Sequence, residues 1–222
     1  KGYLEIPNPY YPDKPSIFLD WKAHGSVNMF SALARSSNVY FYIIGGGFGK
    51  TKGLGVDRLQ RYWKMFDLGE KTGIDIPAEK EGFFYTPEEK EEKMGEIWRI
   101  GDTYNVSIGQ GNLAMTPLRL VSSIATLAND GKGYRPYIAK SIVDERSNVA
   151  RLNTKKKTLD YSQLEPMIHE VKKGLRDAVS KPYGTARGLA DLPFKASGKT
   201  GSAQFSNNTK TNAFFIGYAP SD

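Results

Sequence analysis

The 222 residues are 39% hydrophobic and 12% aromatic, enough to bury the core of one large domain, with or without insertions. No cysteine occurs, which excludes disulfides, thiolate metal sites and a cysteine nucleophile. Lys and Arg outnumber Asp and Glu by 31 to 24, a net charge of +7, but the excess is dispersed apart from Lys155–Lys157 and the Lys172-Lys173 pair, so no basic stripe interleaved with aromatics points to nucleic acid.

Taken in chain order, Lys1–Leu19 is rich in Pro, Tyr and Asn and predicts loop and short extended structure. Asp20-Trp21-Lys22 leads to a turn at Ala23-His24-Gly25. Ser26 is a candidate cap for a helix burying Val27, Phe30, Leu33 and Ala34. After Ser36-Ser37-Asn38, the run Val39–Ile44 is apolar all round and predicts a buried helix ending at Gly45-Gly46-Gly47. Val56–Phe66 has the spacing of an amphipathic helix, through Val56, Leu59, Tyr62 or Trp63, and Phe66. Asp67–Phe84 is a loop punctuated by Gly and Pro. Thr86-Pro87-Glu88-Glu89 starts a helix with a capping box, expected to run through Trp98.

Gly109-Gln110-Gly111 is a tight turn. Thr116-Pro117 then starts a core helix through Leu118, Leu120, Val121, Ile124, Ala125 and Leu127 to Gly131. Tyr134–Asp144 is a strand candidate, with Val149–Leu152 able to return beside it. Ser162–Val179 is an amphipathic helix using Leu164, Met167, Ile168, Val171, Leu175 and Ala178. Gly184-Thr185-Ala186 turns into a strand, Lys195–Phe205, and a polar turn at Ser206–Lys210 joins it to a second, Thr211–Ala219. This order predicts an α+β fold: an antiparallel sheet flanked by helices, with a mainly helical region over residues 1–131 and a sheet region over 132–222.

Two stretches draw chemical interest. In Lys199-Thr200-Gly201, alternation places Lys199 and Gly201 on one face and Thr200 and Ser202 on the other. A lysine in such a strand is costly to cover unless an anion or polar network meets it. Small neighbours (Ser197, Gly198, Gly201, Ser202, Ala203) leave room for a ligand along the strand. The plainer reading is a surface strand with a lysine. A second Lys-Thr-Gly, at Lys71-Thr72-Gly73, lacks small flanks and reads as structural. Upstream, Ser36 and Asn38 could both point from a helix-linking loop into a cleft. The plainer alternative is that they only cap the second helix. His24 and His169 are the two histidines, and no G-x-S-x-G serine accompanies them, so a Ser-His-Asp triad has no footing.

Together, Ser36-Ser37-Asn38 and Lys199-Thr200-Gly201 resemble the S-x-N and K-T-G motifs of the penicillin-binding and serine β-lactamase superfamily. Asp20-Trp21-Lys22 with His24-Gly25, Tyr40-Phe41-Tyr42, Lys71–Pro77, Gly101-Asp102-Thr103, Ile108–Gly111, Thr116-Pro117-Leu118 and Gly217–Pro220 resemble, in order, the class B penicillin-binding proteins, and among these the elongation type. A β-lactamase or sensor domain would share the two triplets but not the other matches. Two departures stand out. No serine here has a lysine three residues on, so the S-x-x-K nucleophile of the family is expected before Lys1, and the family's domain continues past Gly217–Pro220. Ser37-Asn38 also replaces the Cys-Asp often found at this place in elongation-type members. The chain therefore reads as a transpeptidase domain cut at both ends. Consistent with that, Lys1-Gly2-Tyr3 is no signal peptide, and no run nears the roughly 20 apolar residues of a membrane span.

The resemblance implies a peptidoglycan D,D-transpeptidase working through a serine ester, needing no cofactor and no metal, and inactive as this chain alone. It assigns Ser36 to proton transfer toward the leaving nitrogen and Asn38 to the substrate amide. Lys199 would supply positive charge. Thr200, Gly201 and Ser202 would line the substrate, Thr200 and Ser202 at its carboxylate and the Ser202 backbone N–H in the oxyanion hole. Implied partners are stem peptides ending in D-Ala-D-Ala, β-lactams, and elongation-complex membrane proteins reached through other regions. The implied location is the bacterial cytoplasmic membrane, facing outward. A non-catalytic penicillin-binding-like module, used for binding or scaffolding, is the alternative.

Overall fold

The computed structural model describes residues 1–8, 11–146, 149–152, 154–205 and 210–221. The expected turn at Ser206–Lys210 lies, except for Lys210, outside the described residues. The chain opens with an antiparallel pair, β1 (Tyr3–Ile6) and β2 (Ser16–Leu19), with Tyr3 opposite Leu19. Helix α1 (Met29–Arg35) starts later than expected, because Asn28 and not Ser26 caps it. The Asn28 carboxamide accepts from the Ser31 N–H at 2.9 Å while Ser31 Oγ accepts from the Asn28 N–H at 3.0 Å. Val27 is left outside the helix, and Ala32 and Ala34 are its buried residues.

Ser37 caps α2 (Asn38–Gly46), which ends at Gly47. Then come α3 (Val56–Met65), the short strand β3 (Phe83–Phe84) and α4 (Pro87–Met94). Helix α4 stops four residues short of Trp98 because Gly95 takes up a left-handed conformation there, φ 69°. Of the two candidates on α3, Trp63 turns inward, packing edge-on to Phe84 at 5.4 Å, and Tyr62 is exposed. Helix α5 (Ile100–Ser107) was not anticipated. Gly101, Thr103, Tyr104, Asn105 and Val106 carry little helix propensity, and packing holds the helix. Strand β4 (Leu113–Ala114) pairs with β3. Helix α6 (Pro117–Ala128) starts at Thr116 as expected, but its buried residues are Arg119, Ile124 and Thr126, and Val121 is exposed.

The expected strand over Tyr134–Asp144 is two strands, β5 (Lys132–Tyr134) and β6 (Ser141–Val143), with Pro136, which has no N–H to donate, between them. Strand β7 (Val149–Leu152) returns beside β6, and β8 (Lys157–Asp160) pairs with β5. Helix α7 (Glu165–Ser180) buries Ile168, Leu175, Ala178 and Val179 but leaves Met167 exposed. It packs on α1 and on β9 (Ser197–Phe205), which pairs antiparallel with β10 (Lys210–Tyr218), Lys199 facing Ile216. All pairings among the described residues are antiparallel, but they form five two-stranded pairs and not one sheet; helices pack on β2, β5, β9 and β10, which keeps the α+β architecture expected.

Two centres hold these layers. Helices α2 and α5 cross closely, and a Cβ on Gly46 would stand 2.3 Å from the Tyr104 ring. Leu4, Tyr42 and Tyr104 form the core there, with Phe18 edge-on to Tyr104 at 4.8 Å and the Tyr104 hydroxyl donating to Gly47 O at 2.7 Å. Contrary to expectation α2 is not buried all round: Ile44 is 40% exposed.

The second centre is the loop carrying Lys71-Thr72-Gly73. The Glu79 carboxylate accepts from the Thr72 N–H, the Thr72 hydroxyl and the Gly73 N–H at 2.6, 2.7 and 2.9 Å. Burial works against ionisation of Glu79, but these bonds, Thr72's first, outweigh it and hold the carboxyl below its usual range. Arg119 donates to Glu70 O and Lys71 O. This triplet's groups are consumed in bracing the loop, the structural role expected of it. Glu79→Ala is therefore expected to cost about 2 kcal/mol in urea unfolding, the range for hydrogen bonds to a charged group, and the same stability should fade in the native protein as acid protonates Glu79.

Candidate active site

Helix α1 ends at Ser36, whose backbone is left-handed, φ 57° and ψ 44°. That conformation costs a non-glycine residue about 1–2 kcal/mol, so the surroundings must hold it. Trp21 does part of this: its indole N–H lies 3.1 Å from both Arg35 O and Ser36 O. The next turn is pinned by Asp20, whose side chain is almost wholly buried. Its Oδ2 accepts from Ser37 Oγ at 2.8 Å and the Val39 N–H at 3.1 Å, and its Oδ1 accepts from the Trp21 N–H at 2.9 Å. His24 Nε2 is 3.5 Å from the same carboxylate. In the sequence Asp20 and Trp21 read only as parts of a motif. That they fix the Ser36 turn has no local signature, since they act 15 to 19 residues away.

Neither Ser36 nor Asn38 caps α2; the residue between them, Ser37, does, its Oγ accepting from the Tyr40 N–H at 3.4 Å. Ser36 takes no part in that cap. Its Oγ instead accepts a hydrogen bond from Lys199 Nζ, across 163 residues of sequence. Asn38 opens α2, and its side-chain amide donates to Leu19 O at 3.3 Å.

Lys199 also donates to Thr200 O at 2.7 Å. An ammonium has three donors, and these two bonds leave the third for another acceptor. Burial lowers the Lys199 pKa to about 8, because desolvation disfavours the charged form. Thr200 Oγ1 meets Thr185 Oγ1 at 2.7 Å, and the Thr185 N–H donates to Ala34 O at 3.0 Å. The loop after α7 thus ties β9 to the end of α1. At the start of β9, Arg176 donates to Ala196 O at 2.8 Å.

The small residues around the triplet divide into two groups. Gly198 is small because the Phe215 ring of β10 lies over it, 2.4 Å from where a Cβ would be, so no ligand fits there. Gly201 and Ser202 are exposed. In a strand, a residue's N–H and C=O point to the same edge. Thr200 O and Ser202 O are both met from the side away from β10, by Lys199 Nζ and by the Gln110 side chain. The Ser202 N–H therefore faces that same edge. Gln110, which in the sequence reads only as part of a turn, is the other residue whose role has no local signal. A partly buried cation, a hydroxyl beside it and an open strand edge can together hold a carboxylate, pair with an extended peptide and pass a proton.

A model of the penicillin-binding protein transpeptidase domain matches residues 5–222. The peptidoglycan D,D-transpeptidase MrdA of Acinetobacter baumannii is 30% identical over 237 residues, an alignment taking in 100% of this chain and 33% of the relative. The Haemophilus influenzae protein of the same name is 32% identical over 242 residues, 100% and 35%. The chain thus spans about a third of the length of these relatives. Among solved structures, penicillin-binding protein 2 of Helicobacter pylori, in complex with MreC, gives a TM-score of 0.78 at 25% identity, over 99% of this chain and 38% of that one. Penicillin-binding protein 2 of Pseudomonas aeruginosa gives 0.74 at 28%, over 99% and 47%. A match that leaves only the first four residues outside it settles the family, and the MrdA and PBP2 likenesses give the branch: the chain belongs to the penicillin-binding protein transpeptidases, in their class B, PBP2/MrdA-type branch.

Proposed function

We propose that this chain is the S-x-N and K-T-G portion of a peptidoglycan D,D-transpeptidase that works through a serine acyl-enzyme. The observation that carries the reading is the hydrogen bond from partly buried Lys199 to Ser36 Oγ, which joins the two motifs at one point. No serine of the chain has a lysine three residues on, so the attacking serine is assigned to another part of the protein, whose relatives are about three times as long. That serine's oxygen bonds to the penultimate D-Ala carbonyl carbon and the C–N bond to the last D-Ala breaks. The leaving nitrogen takes its proton through Ser36. An amine of a neighbouring stem peptide then takes the acyl group and releases the serine. Lys199 keeps positive charge beside Ser36 and the donor's carboxylate. Thr200 binds that carboxylate with Ser202, and Gly201 leaves the donor room. The Ser202 N–H faces the developing oxyanion. Asn38 turns its amide to the donor in place of Leu19 O.

Donors ending in D-Ala-D-Ala are the proposed substrates and β-lactams the proposed inhibitors, on the outer side of the cytoplasmic membrane. Among the described residues no helix is long and apolar enough to cross a membrane, and attachment is assigned to other parts of the protein. Elongation-complex membrane proteins are the proposed partners, in keeping with the Helicobacter pylori relative solved with MreC. The test is labelling by a fluorescent penicillin. The polypeptide as encoded by its gene should form a covalent adduct, and the 222-residue chain alone should not. A folded full polypeptide that stays unlabelled would leave the non-catalytic binding module as the better reading.

A further inference from the structure

Gln110 follows α5 in a tight turn. Its neighbours Gly109 and Gly111 have φ of 76° and 83°, and its own N–H donates to Asn105 O at 3.0 Å. With the backbone so fixed, the side chain crosses to β9. Its Nε2 donates to Ser202 O at 2.6 Å, and its Oε1 accepts from the Gln204 N–H at 3.4 Å. A group that gives to one residue and takes from the residue two further on makes the pair of bonds that one residue of a parallel neighbouring strand would make, bracketing Ala203. Among the described residues β9 pairs with β10 and with no other strand, so the carboxamide sits on an otherwise open edge.

An open edge that pairs with peptides by strand addition needs its C=O and N–H groups available. The same edge, empty, is a site for unwanted pairing. Gln110 answers the second need and obstructs the first. We propose that the Gln110 carboxamide is a displaceable stand-in for the acyl donor. An extended donor lying along β9 takes over Ser202 O with its own amide N–H, and Gln110 withdraws. Donors that present an N–H there restore the bond they break. Those lacking one bind beside Gln110 and leave its bond to Ser202 O in place. The residue thus sets which donors are favoured. This rests on the transpeptidase reading above.

The test compares second-order acylation rate constants for benzylpenicillin, whose side chain carries a peptide-like N–H, and a carbapenem, which has a hydroxyethyl group in its place. Both carry a carboxylate, so their ratio cancels changes in local charge. The polypeptide as encoded by its gene is compared with Gln110→Ala and Gln110→Glu. Glu preserves the side chain's size and the acceptor for Gln204 but cannot donate to Ser202 O. Removing one competing hydrogen bond should raise the benzylpenicillin constant roughly three- to tenfold in both variants, with the carbapenem constant close to wild type. An equal fall for both probes would make Gln110 a brace for β9 and overturn the proposal, as would an unchanged ratio. A wild-type protein that neither probe acylates would instead sink the transpeptidase reading, and this proposal with it.

Discussion

Lys199→Ala is expected to slow acylation by a penicillin about 10²–10³-fold, the scale on which loss of one preorganised electrostatic contact slows acyl transfer. The size follows from where the ammonium sits. Burial strengthens its field at the donor's carboxylate, and its bonds to Ser36 Oγ and Thr200 O fix its position before any substrate arrives. The same burial brings its pKa down from 10.5 to about 8, so the cation is lost at an accessible pH. The second-order acylation constant reports the free enzyme. It should fall as pH rises through about 8, approaching a tenfold drop per unit beyond. Lys199→Arg, whose guanidinium stays charged, should lose that basic limb even if its bulk lowers the plateau.

Stability moves the other way. Folding depresses this pKa, so between about 8 and 10.5 the unfolded chain binds more protons than the native one, and stability rises with pH across that window. Falling acylation with rising resistance to urea over the same pH range would be the signature of Lys199 deprotonation. An acylation constant flat from pH 7 to 9.5 would remove Lys199 from the site.

Where the chemistry was local, the sequence was enough to read it. Thr86-Pro87 and Thr116-Pro117 start helices because a hydroxyl cap and a proline at the first position act within one turn. Glycine punctuation identified Lys71-Thr72-Gly73 as loop. Most failures came where a distant group decided; the cap of α1 is the local exception. Asn28 displaced Ser26 as cap because it stands three residues before Ser31, whose hydroxyl completes a box. Helix α5 exists because Tyr104 fills the space against Gly46, a tertiary fact overriding weak propensity. Arg119 is buried in an otherwise uncharged helix because carbonyls at Glu70 and Lys71 need a donor. The pairing of Ser36 with Lys199 joins residues no periodicity relates, and only the resemblance of both triplets to one family brought them together. Gln110 gave no such signal, since a glutamine between glycines reads as a turn whatever its side chain reaches.

Ser36 provides the second large effect, and its backbone allows activity to be separated from folding. In the proposed mechanism its hydroxyl carries the proton to the leaving nitrogen, and positioned proton transfer contributes about 10²–10⁴-fold. Ser36→Ala and Ser36→Gly both remove the hydroxyl, so both should lose peptide turnover on that scale. Their stabilities should differ. At φ 57° alanine keeps the left-handed strain of serine while glycine relieves it, a difference of about 1 kcal/mol. Part of that is returned through glycine's freer unfolded chain. Ser36→Gly should therefore melt at or above the temperature of Ser36→Ala while being equally inactive. Both variants also take one acceptor from Lys199, leaving Thr200 O. A partly desolvated ammonium with fewer partners is harder to keep charged, so the basic limb of residual acylation should shift below its wild-type position. Two equally inactive variants, the glycine one the more stable and both with that shift, would tie Ser36 to Lys199 as one proton-handling unit. Retained turnover in Ser36→Gly would mean that the left-handed turn, and not its hydroxyl, is what the site requires.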